Sequence, residues 1–250
     1  MKFFRNIFSK WFKSRSKQDA VVIPAPTTET PSTPPVIVPL PEPVIISTRI
    51  KKTKNEGTPV NPDWDYIWDN LEPDSTAEAK KLLDYNIKFY LKYKTKMIEV
   101  EKITGIPEWF IAGATMREMG WDMNGCLHNG DPWNRVTVNV PKGRGPWSSW
   151  VEAAVDALAF DKITPEKVNT IAKACEKIFR FNGTGYKTKI GDHGVVEYSP
   201  YCVAYSNFHD ETSKYKSDGK YDPKAKEQQL GVITFWKEIE RRGLATISTY

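Results

Sequence analysis

The stretch PEWFIAGATMREMGWDMNGCLHNGDPW, residues 107–133, decides the fold and raises the first functional question. Pro107 suits the first turn of a helix, and Gly120 suits the position just after its end. Ile111 and Glu118 are seven residues apart and therefore share one helix face. The pattern predicts a largely apolar helix that carries a glutamate in its last turn and then enters a polar loop.

Helix-start and helix-end signals recur along the chain and predict a mainly α fold with very little β structure. The second predicted helix begins on a Ser75–Glu78 capping-box pattern, and the last begins on an Asp-Pro pair. The alternating RVTVNV at 135–140 and the loop-rich segment 184–222 favour a short hairpin. Predicted helices span residues 63–71, 75–105, 106–120, 148–162, 164–183 and 222–243.

Composition divides the chain into three parts, residues 1–17, 18–62 and 63–250. The first part holds six Lys or Arg and no acid, and Phe4 and Trp11 lie at helical spacing, which predicts a basic amphipathic segment. The second part is rich in proline, which predicts an extended, disordered linker. The third part holds the predicted helices and is the predicted folded body of the chain.

The charge of the chain is concentrated in its tail. Residues 1–57 hold ten Lys or Arg and four Asp or Glu, whereas the rest of the chain holds 26 against 27. The body therefore lacks the basic excess typical of nucleic-acid binding, and we expect no nucleic-acid partner. No segment approaches the roughly 20 apolar residues of a membrane span, and no cleavable signal peptide is evident.

Glu118 has two interpretations, a solvated helix end or the working acid of an enzyme. Helix spacing places it beside Ile111 and Thr115, and its last-turn position sets its charge against the helix dipole. Burial and the dipole both raise the pKa of a carboxyl group. A carboxyl that keeps its proton near neutral pH can protonate a glycosidic oxygen. The pattern alone leaves both interpretations open.

Several motifs carry a resemblance to a known family. They are MREMGWDMNGCLHNGDPW at 116–133, RFNGTGY at 180–186, SPY at 199–201 and GKYDPKAKEQQLGVITFW at 219–236. In this order they resemble phage and bacterial muramidases of the goose-lysozyme and soluble lytic transglycosylase type, over about residues 80–240. The resemblance implies that residues 63–250 form a lysozyme-like catalytic domain. It also implies cleavage of the β-1,4 bond between N-acetylmuramic acid and N-acetylglucosamine in peptidoglycan.

The resemblance also implies roles for individual residues. Glu118 would be the catalytic acid/base, and Arg117 would orient a loop through pairing with a carboxylate. His128 lies in the His-Asn-Gly-Asp-Pro loop and would contact substrate from the cleft wall. The chain departs from the common pattern at Met119, where Ser is more frequent, and it lacks the Gly-Leu-Met-Gln segment that usually follows. The other implied substrate-binding residues are Asn182, Gly183, Tyr186 and Tyr201.

A second carboxylate is needed if the enzyme is an inverting hydrolase, in which a base lies about 6.5–9.5 Å from the acid. Asp131 is the first candidate and Asp122 the second, although turn initiation or loop tethering explains either residue as well. Asp156, four residues after Glu152, is predicted to form a buried structural pair. A lytic transglycosylase needs no such base, because the 6-hydroxyl of the substrate closes on C1. The sequence leaves both reaction types open.

The sequence gives little support for a metal site, a disulfide framework or a nucleotide-binding site. The three histidines lack a paired zinc spacing, the three cysteines form no recognisable framework, and no nucleotide-binding fingerprint occurs. We therefore expect no metal and no cofactor. The expected partners are peptidoglycan strands, with an anionic membrane surface or a virion or tail protein contacted through residues 1–17. We expect the protein to be associated with the virion, or to pass from the host cytoplasm to the periplasm and cell wall. The alternative is a lysozyme-like structural or peptidoglycan-binding virion protein that does not cut.

Overall fold

The computed structural model describes residues 62–181, 198–209, 214–217, 220–222 and 224–247. The predicted basic segment and nearly all of the Pro-rich linker lie outside these residues. The described chain is mainly helical with one two-stranded hairpin, which confirms the predicted mainly α class. No helix in this part of the chain has the length and apolarity that crossing a membrane requires. The α-helices are α1 Trp64–Asn70, α2 Ala77–Thr104, α3 Glu108–Met119, α4 Trp150–Phe160, α5 Ile171–Phe181, α6 Pro200–Val203 and α7 Val232–Arg241.

Helix α3 is buried at eleven of its twelve residues, and it packs against both α2 and α7. Gly113 allows the close approach of α7, because a Cβ atom built there would lie 2.5 Å from Trp236 Nε1 and 2.6 Å from Val232 Cγ1. The Trp236 indole donates a hydrogen bond to the Trp109 carbonyl oxygen at 2.8 Å. The small and apolar residues of α3 thus fix the helix in the core, and with it the position of its last turn.

The predicted helix ends agree with the structure better than some of the predicted starts. Helix α2 is capped by Thr76 and not by Ser75, because the Thr76 hydroxyl accepts from the backbone N–H of Ala79 at 3.1 Å. Gly105, with φ of 69°, ends α2 as predicted. The predicted helix at 164–183 is divided into a 3-10 turn, Pro165–Lys167, and α5.

Helix α7 begins at Val232, and the predicted start at Asp222 is wrong. Residues 224–231 form a loop in which the Glu227 carboxylate accepts hydrogen bonds from the two following backbone N–H groups, at 2.8 and 3.0 Å. These bonds use donors that would otherwise contribute to a helix, so the Asp-Pro start signal is overridden by a local carboxylate turn.

The hairpin lies near the end of the chain, within the predicted 184–222 segment. Strand β1, Lys214–Ser217, pairs antiparallel with β2, Lys220–Asp222. Residues 135–140 form no strand, so the prediction from their alternation is wrong. Thr137 is buried there, and its backbone N–H donates across its own loop to the Arg144 carbonyl oxygen at 2.9 Å.

Candidate active site

Helix α3 places Glu118 at the edge of the core. The other eleven residues of the helix are buried, whereas Glu118 is partly exposed. Gly120, with φ of 55°, ends the helix just after Glu118 because it accepts the left-handed conformation. The carboxyl group therefore lies in an apolar wall and still reaches solvent, which is the placement that a general acid requires.

Tyr201 contacts Glu118 across a sequence separation of 83 residues. Its hydroxyl donates to Glu118 Oε1 at 2.6 Å. Tyr201 is buried in α6, and burial together with the nearby Glu118 charge holds the pKa of its phenol well above the usual range. Because the phenol keeps its proton, it acts as a permanent donor to the carboxyl group. The structure thus brings together two of the residues that the resemblance placed in the cleft.

Arg117 is buried behind this pair and ties it to a distant loop. Its Nη2 donates to Glu227 Oε2 at 3.0 Å, and its Nη1 donates to the Leu230 carbonyl oxygen at 3.3 Å. The guanidinium carbon lies 4.9 Å from the centroid of the Tyr201 ring, within cation–π range. The expected pairing with a carboxylate is therefore present, and it holds α3, α6 and the 224–231 loop together.

The pKa of Glu118 is raised above its ordinary value, chiefly because burial penalises the charged carboxylate. The Tyr201 hydrogen bond and the Arg117 charge act in the opposite direction, and the Asp161 charge adds to the rise. Burial therefore favours the protonated acid, while Tyr201 and Arg117 support the carboxylate that remains after proton transfer. This balance suits a group that must give up a proton and take it back.

His128 contacts Asp156 and Trp147 within the protein. Its Nε2 lies 2.7 Å from Asp156 Oδ2, and its ring stacks on Trp147 at a centroid distance of 5.5 Å. Arg144 binds the same Asp156 carboxylate through Nε at 2.8 Å and through Nη2. Burial lowers the pKa of His128, so the ring is neutral near pH 7. His128 anchors its loop to α4, and its role as a substrate contact stays a prediction.

Asp156 is thus a structural residue, but its partners are not the expected one. The predicted buried pairing with Glu152 is wrong, because Glu152 Oε2 accepts from the backbone N–H of Ser148 at 2.9 Å. Asp156 instead bridges Arg144 and His128 at a partly exposed position, and these two partners lower the pKa of its carboxyl group.

Both candidates for a second carboxylate are engaged in their own loop. Asp131 Oδ2 accepts from the backbone N–H groups of Val138 and Asn139 at 2.8 Å each, and Oδ1 accepts from the Asn139 side chain at 2.6 Å. Asp122 Oδ1 accepts from the backbone and the side chain of Asn124, both at 3.1 Å. These bonds explain both residues as loop-forming, and they favour the structural interpretation of Asp131 over the catalytic one.

Sequence reasoning did not identify Asp161, which follows the last residue of α4. Its charge contributes to the rise in the pKa of Glu118 and also acts on the pKa of His128. An acid at a helix end carries no distinctive sequence signal. The predicted cleft residues Asn182, Gly183 and Tyr186 lie outside the described residues.

Within the described parts of the chain, no group of three or more His, Cys, Asp or Glu side chains is arranged to hold a metal ion. Cys126, Cys175 and Cys202 are buried free thiols.

The sequence matches no protein-family model, and neither the curated proteins nor the solved structures contain a significant match to the chain. A function must therefore be inferred from the geometry around Glu118 and from the motif resemblance.

Proposed function

We propose that this chain is a peptidoglycan-cleaving glycosidase with a lysozyme-like catalytic domain, in which Glu118 is the general acid. One observation carries the proposal: Glu118 is the single partly exposed residue of a buried helix. Its raised pKa and the buried tyrosine that holds one of its oxygens at 2.6 Å agree with this role. The ordered motifs at 116–133 and 199–201 supply the substrate class.

The hydrogen bond from Tyr201 determines which oxygen of the acid reacts. Glu118 Oε1 accepts from the phenol, so the acidic proton resides on Oε2. Transfer of that proton to the glycosidic oxygen lets the leaving sugar depart while an oxocarbenium-like centre forms at C1. The Glu118 carboxylate produced in this step is stabilised by the Tyr201 donor and by the Arg117 charge. The carboxylate can then accept a proton from the nucleophile that attacks C1, which is either water or the 6-hydroxyl of muramic acid.

The engagement of Asp131 and Asp122 in their own loop favours closure by the 6-hydroxyl of muramic acid over attack by water. In that route the 6-hydroxyl gives its proton to Glu118 and bonds to C1, which forms an anhydro ring. We therefore expect anhydro-muramic ends in the products. Reducing ends would instead indicate hydrolysis and would point to Asp161 as the base. Mass spectrometry of the released fragments distinguishes the two.

Release of soluble fragments from purified peptidoglycan tests the assignment of Glu118. We expect Glu118→Gln to lower the rate by at least about a hundredfold, the scale of general-acid catalysis. Glu99→Gln is the matched control, because it makes the same change on an exposed position of α2, and we expect it to leave the rate unchanged. Equal rates for wild type and Glu118→Gln would remove Glu118 from the mechanism.

The same assay addresses the non-catalytic alternative. If wild-type protein binds peptidoglycan sacculi and releases no fragments, the chain is a wall-binding virion protein with a lysozyme-like body. Under our proposal, the wild type both binds and cuts, and Glu118→Gln binds without cutting. Peptidoglycan strands are thus the proposed partner, and the proposed location is the virion or the host periplasm and cell wall.

A further inference from the structure

Three valines form an exposed apolar ridge on the loop after the His-Asn-Gly-Asp-Pro segment. Val136, Val138 and Val140 have exposed fractions of 52%, 72% and 58%. Single exposed apolar residues are ordinary on protein surfaces, but here three of them lie within five residues of one loop. We call residues 136–140 the valine ridge.

The two polar residues of the valine ridge are hydrogen-bonded within the loop, and Thr137 is buried. Thr137 is only 2% exposed, and its hydroxyl donates to the Pro141 carbonyl oxygen at 2.6 Å and accepts from the Arg144 backbone N–H at 3.0 Å. The Asn139 side chain donates to the Asp131 carboxylate at 2.6 Å. A buried threonine thus lies between exposed valines, and the hydrogen bonds of Thr137 and Asn139 keep this part of the loop in place.

The ridge is also held in place before any partner arrives. The Asp131 carboxylate accepts from the backbone N–H groups of both Val138 and Asn139. Gly143 and Gly145 adopt left-handed conformations, with φ of 78° and 75°, which bring the chain back towards Thr137. A surface that is already ordered loses less conformational freedom on binding. The hydrogen bonds of Asp131 thus have a consequence beyond loop stability, because they present the valines to solvent.

The charge around the ridge identifies the kind of partner. Residues 132–149 contain three cations and no acid, although the body of the chain has a slight acidic excess. Arg135 and Lys142 are exposed on either side of the ridge. Apolar side chains bordered by cations match the boundary between acyl chains and headgroups in an anionic lipid surface. A symmetric contact with a second copy would instead bring like cations together.

We propose that the valine ridge contacts an anionic membrane surface, with the valines at the acyl boundary and Arg135 and Lys142 at the phosphate headgroups. This contact is separate from the chemistry of Glu118 and does not depend on it. It also differs from the contact predicted for residues 1–17, because it is made by the folded body. Two contacts of moderate strength on one chain reinforce each other.

A fluorescent probe on the ridge tests the proposal in the full chain. The three native thiols are buried, so a cysteine introduced by Val138→Cys can be labelled selectively with a polarity-sensitive dye. Leu91→Cys is the matched control, because Leu91 is 53% exposed on α2. With vesicles of phosphatidylglycerol and phosphatidylethanolamine, we expect a blue shift and a rise in emission at position 138 and no change at position 91.

The probe also separates the ridge from the N-terminal segment. If residues 1–17 alone hold the chain on vesicles, the protein sediments with them while the probe at position 138 stays in water, and that result would overturn the proposal. A shift with isolated sacculi and none with vesicles would assign the ridge to the cell wall and would also overturn it. Equal shifts on anionic and on phosphatidylcholine vesicles would refute the role of the two cations.

Binding constants supply a second, independent measure. Changing all three valines to serine should weaken binding of the full chain to anionic vesicles by about tenfold or more, since each valine removes apolar surface from water on insertion. Leu91→Ser with Ile103→Ser makes the same kind of change at exposed positions of α2, and we expect it to leave binding unchanged. Unchanged binding of the triple variant, with its circular dichroism spectrum intact, would contradict the proposal.

Discussion

The two ends of α3 carry the same pair of groups, a glutamate and a buried tyrosine that donates to it. At the N-terminal end, the Tyr90 hydroxyl donates to Glu108 Oε1 at 2.6 Å. At the C-terminal end, the Tyr201 hydroxyl donates to Glu118 Oε1 at the same distance. Burial raises the pKa of both carboxyl groups. A raised pKa and a tyrosine donor therefore do not distinguish a working acid from a structural one.

The two ends differ in access to solvent and in the helix dipole. Glu108 is buried, and its Oε2 has no hydrogen-bond partner among the described residues. Lys94 Nζ lies 3.5 Å from Glu108 Oε1, and the charge in the first turn agrees with the dipole. Glu118 is partly exposed, and its charge in the last turn opposes the dipole. Of the two glutamates, only Glu118 is partly exposed to solvent, and under the proposed function this difference separates the two roles.

Each of the two glutamates has a cation beside it, Arg117 or Lys94. Removing these cations should give the largest difference in stability between the two ends of α3. Arg117→Met leaves Glu227 buried without its charged partner, and we expect a loss of about 3–5 kcal/mol in the free energy of unfolding. Lys94→Met removes a longer and more exposed ion pair with Glu108, and we expect a loss of about 1 kcal/mol or less. Urea unfolding monitored by tryptophan fluorescence measures both.

A double variant provides the control for this comparison. Glu227→Gln keeps an oxygen for the backbone N–H groups that Glu227 now binds, while it removes the unpaired charge. Arg117→Met with Glu227→Gln should therefore recover much of the stability that Arg117→Met loses. If the losses of the two single variants simply add, Arg117 stabilises the fold through its contact with the Tyr201 ring and not through its ion pair with Glu227.

Local sequence signals predicted one member of each of two contacts at the C-terminal end of α3 and missed the other. The spacing from Ile111 to Glu118 and the stop at Gly120 placed the acid correctly in the last turn of α3. Tyr201 and Glu227 are 83 and 110 residues away from the residues that they contact, and neither pairing follows from helix periodicity. Helix class and helix ends are local properties, whereas the surroundings of the acid are formed by packing.

The predicted strand at 135–140 and the predicted start of α7 are wrong for a related reason. Alternation at 135–140 predicted a strand, because sequence patterns do not show which face is buried. The carboxylate of Asp131 binds the backbone of this segment and turns its valines outward. The carboxylate of Glu227 similarly binds the backbone where a helix was predicted. In both places one buried acid overrides a local pattern, and such an acid has no signature in the sequence.

Removing the two tyrosine hydroxyls should separate activity from stability. Tyr201 lowers the pKa of Glu118, so Tyr201→Phe should raise that pKa further. An acid works while it is protonated, so the fall in activity with rising pH should move to higher pH. We also expect about a tenfold loss at the optimum, equivalent to about 1.4 kcal/mol of lost support for the carboxylate.

Tyr90→Phe is the matched change at the other end of α3. This change removes the hydroxyl that donates to Glu108 Oε1. We expect a loss of about 1–3 kcal/mol in the free energy of unfolding. The pH profile of peptidoglycan cleavage should stay where it is. A shifted profile in Tyr90→Phe and an unchanged one in Tyr201→Phe would place the working acid at the N-terminal end of α3.

The smallest expected effect is a gain in stability from Glu118→Gln. The pKa of Glu118 is raised in the folded protein, so above its ordinary value of 4.5 the folded chain holds a proton that the unfolded chain has lost. Wild-type stability therefore falls as pH rises from about 4.5 through the raised folded-state value. Glutamine has no charge to bury, so the variant should gain about 0.5–2 kcal/mol at pH 7, relative to pH 4. Urea unfolding at both pH values measures this difference, with Glu99→Gln as the control. A constant difference between Glu118→Gln and wild type at both pH values would mean that the folded protein does not hold Glu118 in its acid form, and Glu118 would then resemble an ordinary solvated helix end.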